Sequence, residues 1–177
     1  MLFFTSDTHF SDRRVLGIDR RPYGSLEEHD EGLIANWNAT VGPEDEVWHL
    51  GDFARGTAEA IDGLLARLNG RKQLIIGNND GQATVTSRHW ASVQHYAELE
   101  VEGRFLVLCH YPFRTWNRMA KGAFNLHGHS HGRLKPLPRQ RDVGVDAQGY
   151  RPIAAASLFI TRSRRSGMLE ATGSQEG

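Results

Sequence analysis

The sequence predicts an α/β protein built on a largely parallel sheet, and three observations carry that prediction. Three times in the first half of the chain, a short apolar run suited to a strand ends in a loop that opens with Asp, Asn or His. The first two linkers between such runs carry helical patterns, as βαβ units do. The second half is richer in strand patterns and includes a hairpin signal.

The elements follow in order. Residues 2 to 6 read as the first strand, ending in Asp7-Thr8-His9. Ser11 to Ser25 mixes Arg, Gly and Pro, as a loop near a site mouth would. Ser25-Leu26-Glu27-Glu28 starts a helix, with Ser25 as N-cap and Glu28 at the capping-box position; Leu33, Ile34 and Trp37 continue it at helical spacing. After the turn Gly42-Pro43-Glu44-Asp45, Glu46 to Leu50 is the second strand, ending in Gly51-Asp52. A helix from Thr57 to Leu68 puts Ile61, Leu64, Leu65 and Leu68 on one stripe, and Asn69-Gly70 stops it. Gln73 to Ile76 is the third strand, ending in Gly77-Asn78-Asn79-Asp80.

Tyr96–Val101 and Arg104–Cys109 flank Glu102-Gly103 as a hairpin whose second strand delivers His110. Ala123 to Leu126 is a buried strand leading into His127-Gly128-His129-Ser130-His131-Gly132. Asp142 to Asp146 alternates like a strand, and Ile153 to Ile160 reads as a closing helix rather than a strand. Residues 1–168 are expected to form one domain and 169–177 a frayed polar tail.

Composition bounds the function. A chain of 177 residues with 39% hydrophobic and 24% charged residues is a single globular domain. No apolar run approaches the ~20 residues that span a bilayer, so no membrane partner is expected. The N-terminus lacks a secretory signal pattern. Net charge is zero, from 21 basic and 21 acidic residues, which argues against nucleic acid as a partner. The single Cys109 cannot form an internal disulfide and suits a reducing cytoplasm, the expected location.

Nine histidines are the unusual figure. In extended backbone, residues two apart face the same side, so His129 and His131 can address one point. Taken alone, the loop could be a polar surface segment with incidental histidines. In open α/β sheets, however, ligands bind beyond the carboxyl ends of the strands, and Asp7, His9, Asp52, Asn78 and His110 all fall at such ends. One ion rarely needs seven protein ligands, whereas two adjacent ions sharing a carboxylate would use all of them. Asp52 is the natural bridge. Mixed oxygen and imidazole ligation suits manganese, iron, cobalt, nickel or zinc better than calcium or magnesium, and manganese is taken first.

The other candidates are weighed against plainer roles. His127 either faces away from the ligands or orients one of them. His49 is expected to pack, and His29, His89 and His95 to lie at the surface, with His29 a weak candidate acid. Arg13, Arg14, Arg20 and Arg21 follow the first ligand loop, and Arg114 and Arg118 follow His110. Of these, Arg21 and Arg114 are expected to contact substrate through the planar guanidinium fork. Arg162, Arg164 and Arg165 read as a solvated helix end.

Asp7-Thr8-His9, Gly51-Asp52, Gly77-Asn78-Asn79-Asp80, His110 and Gly128-His129-Ser130-His131 come in the order of the calcineurin-like metallophosphoesterases. That family's signature reads D-x-H, G-D, G-N-H-D/E, H and G-H-x-H, and the chain resembles it from Phe3 to about Asp146. Trp48-His49-Leu50-Gly51-Asp52-Phe53 and Arg21-Pro22-Tyr23 resemble a small bacterial or phage-type branch.

The resemblance implies a four-layer α-β-β-α sandwich with two mixed sheets and a dinuclear metal site at the strand ends. One ion would take Asp7, His9, His131 and the bridging Asp52; the other would take Asp52, Asn78, His110 and His129. The ions would sit ~3.5–4 Å apart. It further implies hydrolysis of a small phosphoester, either a phosphodiester or an activated phosphomonoester, by a metal-bound hydroxide, with Asp52 and Asn79 in the catalytic set.

One position departs from the family pattern. Asn79 stands where the family has a histidine that contacts the phosphoryl group and is thought to protonate the leaving group. An amide donates a hydrogen bond but supplies no acid at neutral pH. The loss of a general acid, worth 10²–10⁴-fold, predicts a preference for acidic leaving groups. The competing readings are a non-catalytic metal-binding scaffold on the same fold and a nuclease, the latter disfavoured by the zero net charge.

Overall fold

The computed structural model describes residues 1–159. Ile160, the arginines at 162, 164 and 165, and the expected tail over 169–177 lie outside the described residues. Two sheets form the molecule. The first contains β1 (Leu2–Thr5), β2 (Glu46–His49), β3 (Arg71–Ile75), β4 (Trp90–Gln94) and β9 (Ile153–Ala154). Its order is β4-β3-β2-β1-β9, all parallel except β9, which runs antiparallel to β1.

The second sheet contains β5 (Tyr96–Val101), β6 (Arg104–Cys109), β7 (Phe124–His127) and β8 (Gln140–Asp142), in that spatial order. The β5–β6 hairpin is antiparallel, and β6, β7 and β8 are parallel. The helices are α1 (Arg14–Ile18), α2 (Leu26–Thr40), α3 (Ala58–Arg67), α4 (Gln82–Val85) and α5 (Ala155–Leu158). None of the described helices is long and apolar enough to cross a membrane.

Strand alternation sorts the core into layers. Phe3, Val47 and Leu74 face the helices, where they meet Leu33, Ile34 and Trp37 of α2 and Ile61 and Leu65 of α3. Their neighbours Phe4, Trp48 and Ile75 point the other way and pack between the sheets against Leu106, Leu108 and Leu126. Full burial of each such side chain is worth roughly 1.5–3 kcal/mol of transfer free energy. The helix starts are capped as their sequences require: Ser25 accepts from the Glu28 amide at 3.1 Å, and Thr57 from the Ala60 amide at 3.3 Å.

The outer face of the second sheet is covered differently. Val107 and Ala123 pack under Trp116, Phe113 and Met119, which belong to the β6–β7 connection and its 3₁₀ turn Met119–Lys121. Among the described residues this fourth layer is therefore a loop with one helical turn, thinner than the α2–α3 layer.

Three elements differ from expectation. The strand expected over Asp142–Asp146 ends at Asp142; the chain then crosses between the sheets, Gly144 pairing with Ser6. Val143 thereby enters the inter-sheet core and Val145 the helix-side core, so the alternation reflects a crossover rather than a longer strand. β4 carries no strong strand pattern because it is an edge strand with mixed polarity. The segment from Ile153 splits into two strand residues and the short α5.

Candidate metal centre

The parallel strands end together, and the residues that follow them converge. Asp7, His9, Asp52, His129 and His131 all have positive φ, between 48° and 65°. Left-handed backbone costs a non-glycine residue energy and concentrates at functional sites. The turn also needs missing side chains: a Cβ on Gly128 would overlap Ser6 and Asp7, and Gly51 has φ +94° with the His110 ring against it.

Asp52 occupies the middle. Its Oδ2 lies 3.5 Å from His9 Nε2 and 3.6 Å from His110 Nε2. On the His9 side, Asp7, His9 and His131 form a group of mutually close ligating atoms, with His131 Nε2 3.8 Å from Asp7 Oδ1. On the other side, His110 Nε2 and His129 Nδ1 each lie 3.0 Å from Asn78 Oδ1. Asp7 also comes close to Asp52 and His110, so the two clusters adjoin.

The donors are aimed by a second set of contacts. His110 Nδ1 donates to Leu50 O at 2.7 Å, which turns Nε2 into the site. His131 Nδ1 lies 2.9 Å from Asp146, which leaves its Nε2 facing Asp7. The His129 amide donates to both Asp7 oxygens, at 3.1 and 3.0 Å. Asp142 accepts from Ser130 and Gly132 of the histidine loop, and from the Gly144 amide of the crossover that follows it. Asp80 accepts from the Asp52, Phe53 and Gly77 amides and ties the ends of β2 and β3 together.

This arrangement fits cations. His9 Nε2 is buried with no hydrogen-bond partner. Burial, with Asp52 and Asp142 nearby, pushes the Asp7 carboxyl up to about 8 even though His131 opposes the shift. Burial likewise lowers the His9 imidazole to about 4. Buried carboxylates and neutral imidazoles with converging lone pairs are what a divalent ion stabilises.

The sequence placed all seven strand-end residues in this cluster, and the structure brings them together. It corrects Arg21. That guanidinium is buried and committed to Asp146, the carbonyls of Asp7 and Thr8, and His29, so it braces the first loop and has no donor left for substrate. Arg114 is exposed and does not line the cleft over the cluster. His29, expected at the surface, is fully buried because it accommodates Arg21 and pairs with Asp30. His49 packs as expected, between Thr8 and the Gly51 amide. His127 is buried beside the Gly128 carbonyl, outside the ligand cluster.

The cleft, about 240 Å³, is lined by His9, Asp12, Arg14, Asn79, His129 and His131 among others. Asn79 donates to Asp52 through both its backbone amide (2.8 Å) and its side chain (2.6 Å). Its carbonyl oxygen accepts from Arg14 at 3.2 Å and Arg55 at 3.4 Å. Both arginines also hold the buried Asp12, whose carboxyl stays well below its usual range because their hydrogen bonds outweigh the effect of burial. Arg55 and Asp12 were missed in the sequence, where neither stands in a motif. The only signal was Asp12 lying three residues after His9.

Comparison with known proteins agrees with this geometry. Residues 1–142 match the model of the calcineurin-like phosphoesterase superfamily domain. The chain is 34% identical over 178 residues to the Gene 66 protein of Mycobacterium phage D29, covering 82% of this chain and 88% of that protein. It is 28% identical over 162 residues to an uncharacterized protein of Methanocaldococcus jannaschii, covering 86% of each. A protein of unknown function from Aquifex aeolicus has the same fold, with a TM-score of 0.70 at 22% identity over 89% of this chain and 97% of that one.

Proposed function

The chain belongs to the calcineurin-like phosphoesterase superfamily, and on that premise we propose that it is a dinuclear metal-dependent phosphoesterase, acting on phosphodiesters or activated phosphomonoesters in the cytoplasm. The observation that carries this reading is the position of Asp52, with one oxygen between His9 and His110 and a further cluster on either side. In this assignment Asp7, His9, His131 and Asp52 hold one ion, and Asp52, Asn78, His110 and His129 hold the other, manganese being the first candidate. Two divalent cations supply Lewis acidity: they lower the pKa of water and offset charge on a phosphoryl group.

The chain's own residues do the rest. His110 and His131 are held by Leu50 and Asp146 so that one nitrogen of each ring faces the ions. Asn79 donates to Asp52 and fixes its orientation. Arg14, at the cleft, presents a cation to the outer oxygens of a phosphoryl group, with Arg55 bonded to the far side of Asn79. Neither the Asn79 amide nor the Arg14 and Arg55 guanidiniums can protonate a poor leaving group at neutral pH, which supports a preference for acidic leaving groups.

The test is hydrolysis of an aryl phosphodiester with added manganese against a chelator control, beside Asp52→Asn. Turnover that requires metal and Asp52 is the expected result. Metal binding by calorimetry without turnover on aryl diesters or monoesters would establish the scaffold reading instead.

A further inference from the structure

We propose that the substrate is a nucleic-acid strand, and that the two crossover connections of the second sheet form the face along which it lies. The substrate half of this proposal rests on the phosphoesterase reading; the face itself does not.

Zero net charge conceals a segregation. From Gly103 to Arg141 the chain holds eight Lys or Arg and no Asp or Glu, whereas Met1 to Glu102 holds 17 acidic and nine basic residues. Arg114, Arg118, Lys121, Lys135 and Arg139 lie on the two connections outside the second sheet, whereas Arg104 and Arg141 lie over Phe159 and Phe124, Arg133 pairs with Asp19, and Glu98 and Glu100 are exposed on the outer face of β5. Because β6, β7 and β8 are parallel, the connections 110–123 and 132–139 must each run from the catalytic edge of the sheet back to its far edge. The first leaves His110 and the second leaves His131, so both paths begin at the metal cluster. They meet again at the far edge, where a cavity of about 560 Å³ is lined by Trp116, Arg118, Lys121 and Arg139.

A second cavity, about 470 Å³, shares Arg118 and Lys121 and adds Arg104 and Phe105. No acidic residue lines either cavity. Arg118 stacks over Phe105 at 4.2 Å. Glu98 is the acid acting on Arg118, and it is engaged by Tyr96 and Asn117.

The length suits a strand of phosphates. β6 alone, Arg104–Cys109, spans roughly 20 Å at about 3.3 Å per residue. Exposed cations along that length neutralise several phosphates, and an extended polyanion can reach them while one phosphodiester sits in the cleft. Aromatic groups favour nucleic acid over an anionic lipid surface. Tyr111 is 46% exposed at the catalytic edge, its ring 4.7 Å from that of His129, where a base can stack on it. The loop 132–139 is exposed throughout and carries two prolines but no helix that could lie in a membrane interface.

The test uses the full chain and a fluorescein-labelled 20-nucleotide single strand of mixed sequence. Anisotropy is read in chelator between 50 and 200 mM salt. If four cations contact phosphates, log affinity falls against log salt with a slope of about −3, at ~0.7 per phosphate. The triple variant Lys121→Ser, Lys135→Ser, Arg139→Ser leaves the cleft alone. Its slope is expected near −1, with affinity at least about tenfold lower. With manganese, its kcat/KM on the oligonucleotide should drop at least about tenfold, while that on a small aryl diester, which also reports correct folding, stays within about twofold.

Equal binding by the variant, or no binding by the wild type at 50 mM salt, overturns the proposal. So does variant-sensitive binding to phosphatidylserine vesicles without binding to the oligonucleotide. Variant-sensitive oligonucleotide binding by a wild type that hydrolyses no ester would establish the face and overturn the phosphoesterase reading alone.

Discussion

The two sheets meet at one site but bring opposite goods to it. The first sheet delivers both carboxylates, Asp7 and Asp52, together with His9 and Asn78, and its crossovers run through α2 and α3. The second delivers His110, His129 and His131, and its crossovers are exposed basic loops. The first half of the site supplies the negative charge that two cations require. The second supplies imidazole donors, and beyond them connections that carry Lys and Arg. The proposed dinuclear centre would lie on the seam between the two halves.

Discharging the residue on the seam has the largest expected effect. Asp52→Asn keeps the shape but removes the charge shared by both clusters, and cations worth several kcal/mol in the transition state are no longer held. The expected loss in kcat/KM on an aryl diester is about 10³-fold or more. The same variant should lose the rise in thermal midpoint that added manganese gives the wild type, a rise worth about 2.7 kcal/mol at a metal concentration 100 times Kd.

Next in size is the brace beneath the first loop. Arg21 is buried against Asp146, and Asp146 in turn faces His131. Burial raises the Asp146 carboxyl, but His131 and Arg21 outweigh that and hold it down to about 2. Removing one partner from a buried pair leaves an uncompensated charge, so Arg21→Met should cost about 3 kcal/mol or more in urea unfolding. A contact with substrate would instead raise KM and leave stability alone.

A paired comparison then asks which half depends more on its outer contacts. Asp146→Asn loosens His131 in the second-sheet half, and Asp80→Asn loosens the amides beside Asp52 in the first. Each should weaken manganese binding about 10–100-fold by calorimetry. Asp80 accepts three backbone bonds that fix two strand ends at once, so its variant should show the larger loss of the two.

The same asymmetry explains what could be read from the sequence. The first sheet was legible because parallel strands buried on both faces write continuous apolar runs, and their helices carry capping signals such as Ser25 and Thr57. The seven strand-end residues were legible because a metal cluster needs residue types that are conspicuous at strand ends. What stayed hidden depended on partners distant in sequence. Arg21 looks like any loop arginine until Asp146 arrives beside it, and His29 is buried only because Arg21 is. Arg55 and Asp12 acquire meaning only once β1 and β2 lie side by side. The net charge of zero, from 21 basic and 21 acidic residues, says nothing of where along the chain they fall: Gly103 to Arg141 holds eight Lys or Arg and no acid.

Asn79→His is the smallest and most discriminating change. Sequence reasoning treats Asn79 as a lost acid, so restoring histidine should recover turnover on alkyl phosphomonoesters toward the 10²–10⁴-fold that general acid catalysis supplies. The structure predicts less. Asn79 uses its amide nitrogen on Asp52 and its carbonyl oxygen on Arg14 and Arg55 at the same time. A histidine that bonds Asp52 through one ring nitrogen has only the other to offer the two arginines, and once protonated it repels them. The gain on alkyl esters should therefore stay below about tenfold, with aryl diester turnover falling because the arginines lose their shared acceptor. If Asn79→His raises alkyl ester kcat by a hundredfold with aryl turnover intact, the arginine–asparagine bracket has no part in holding the cleft.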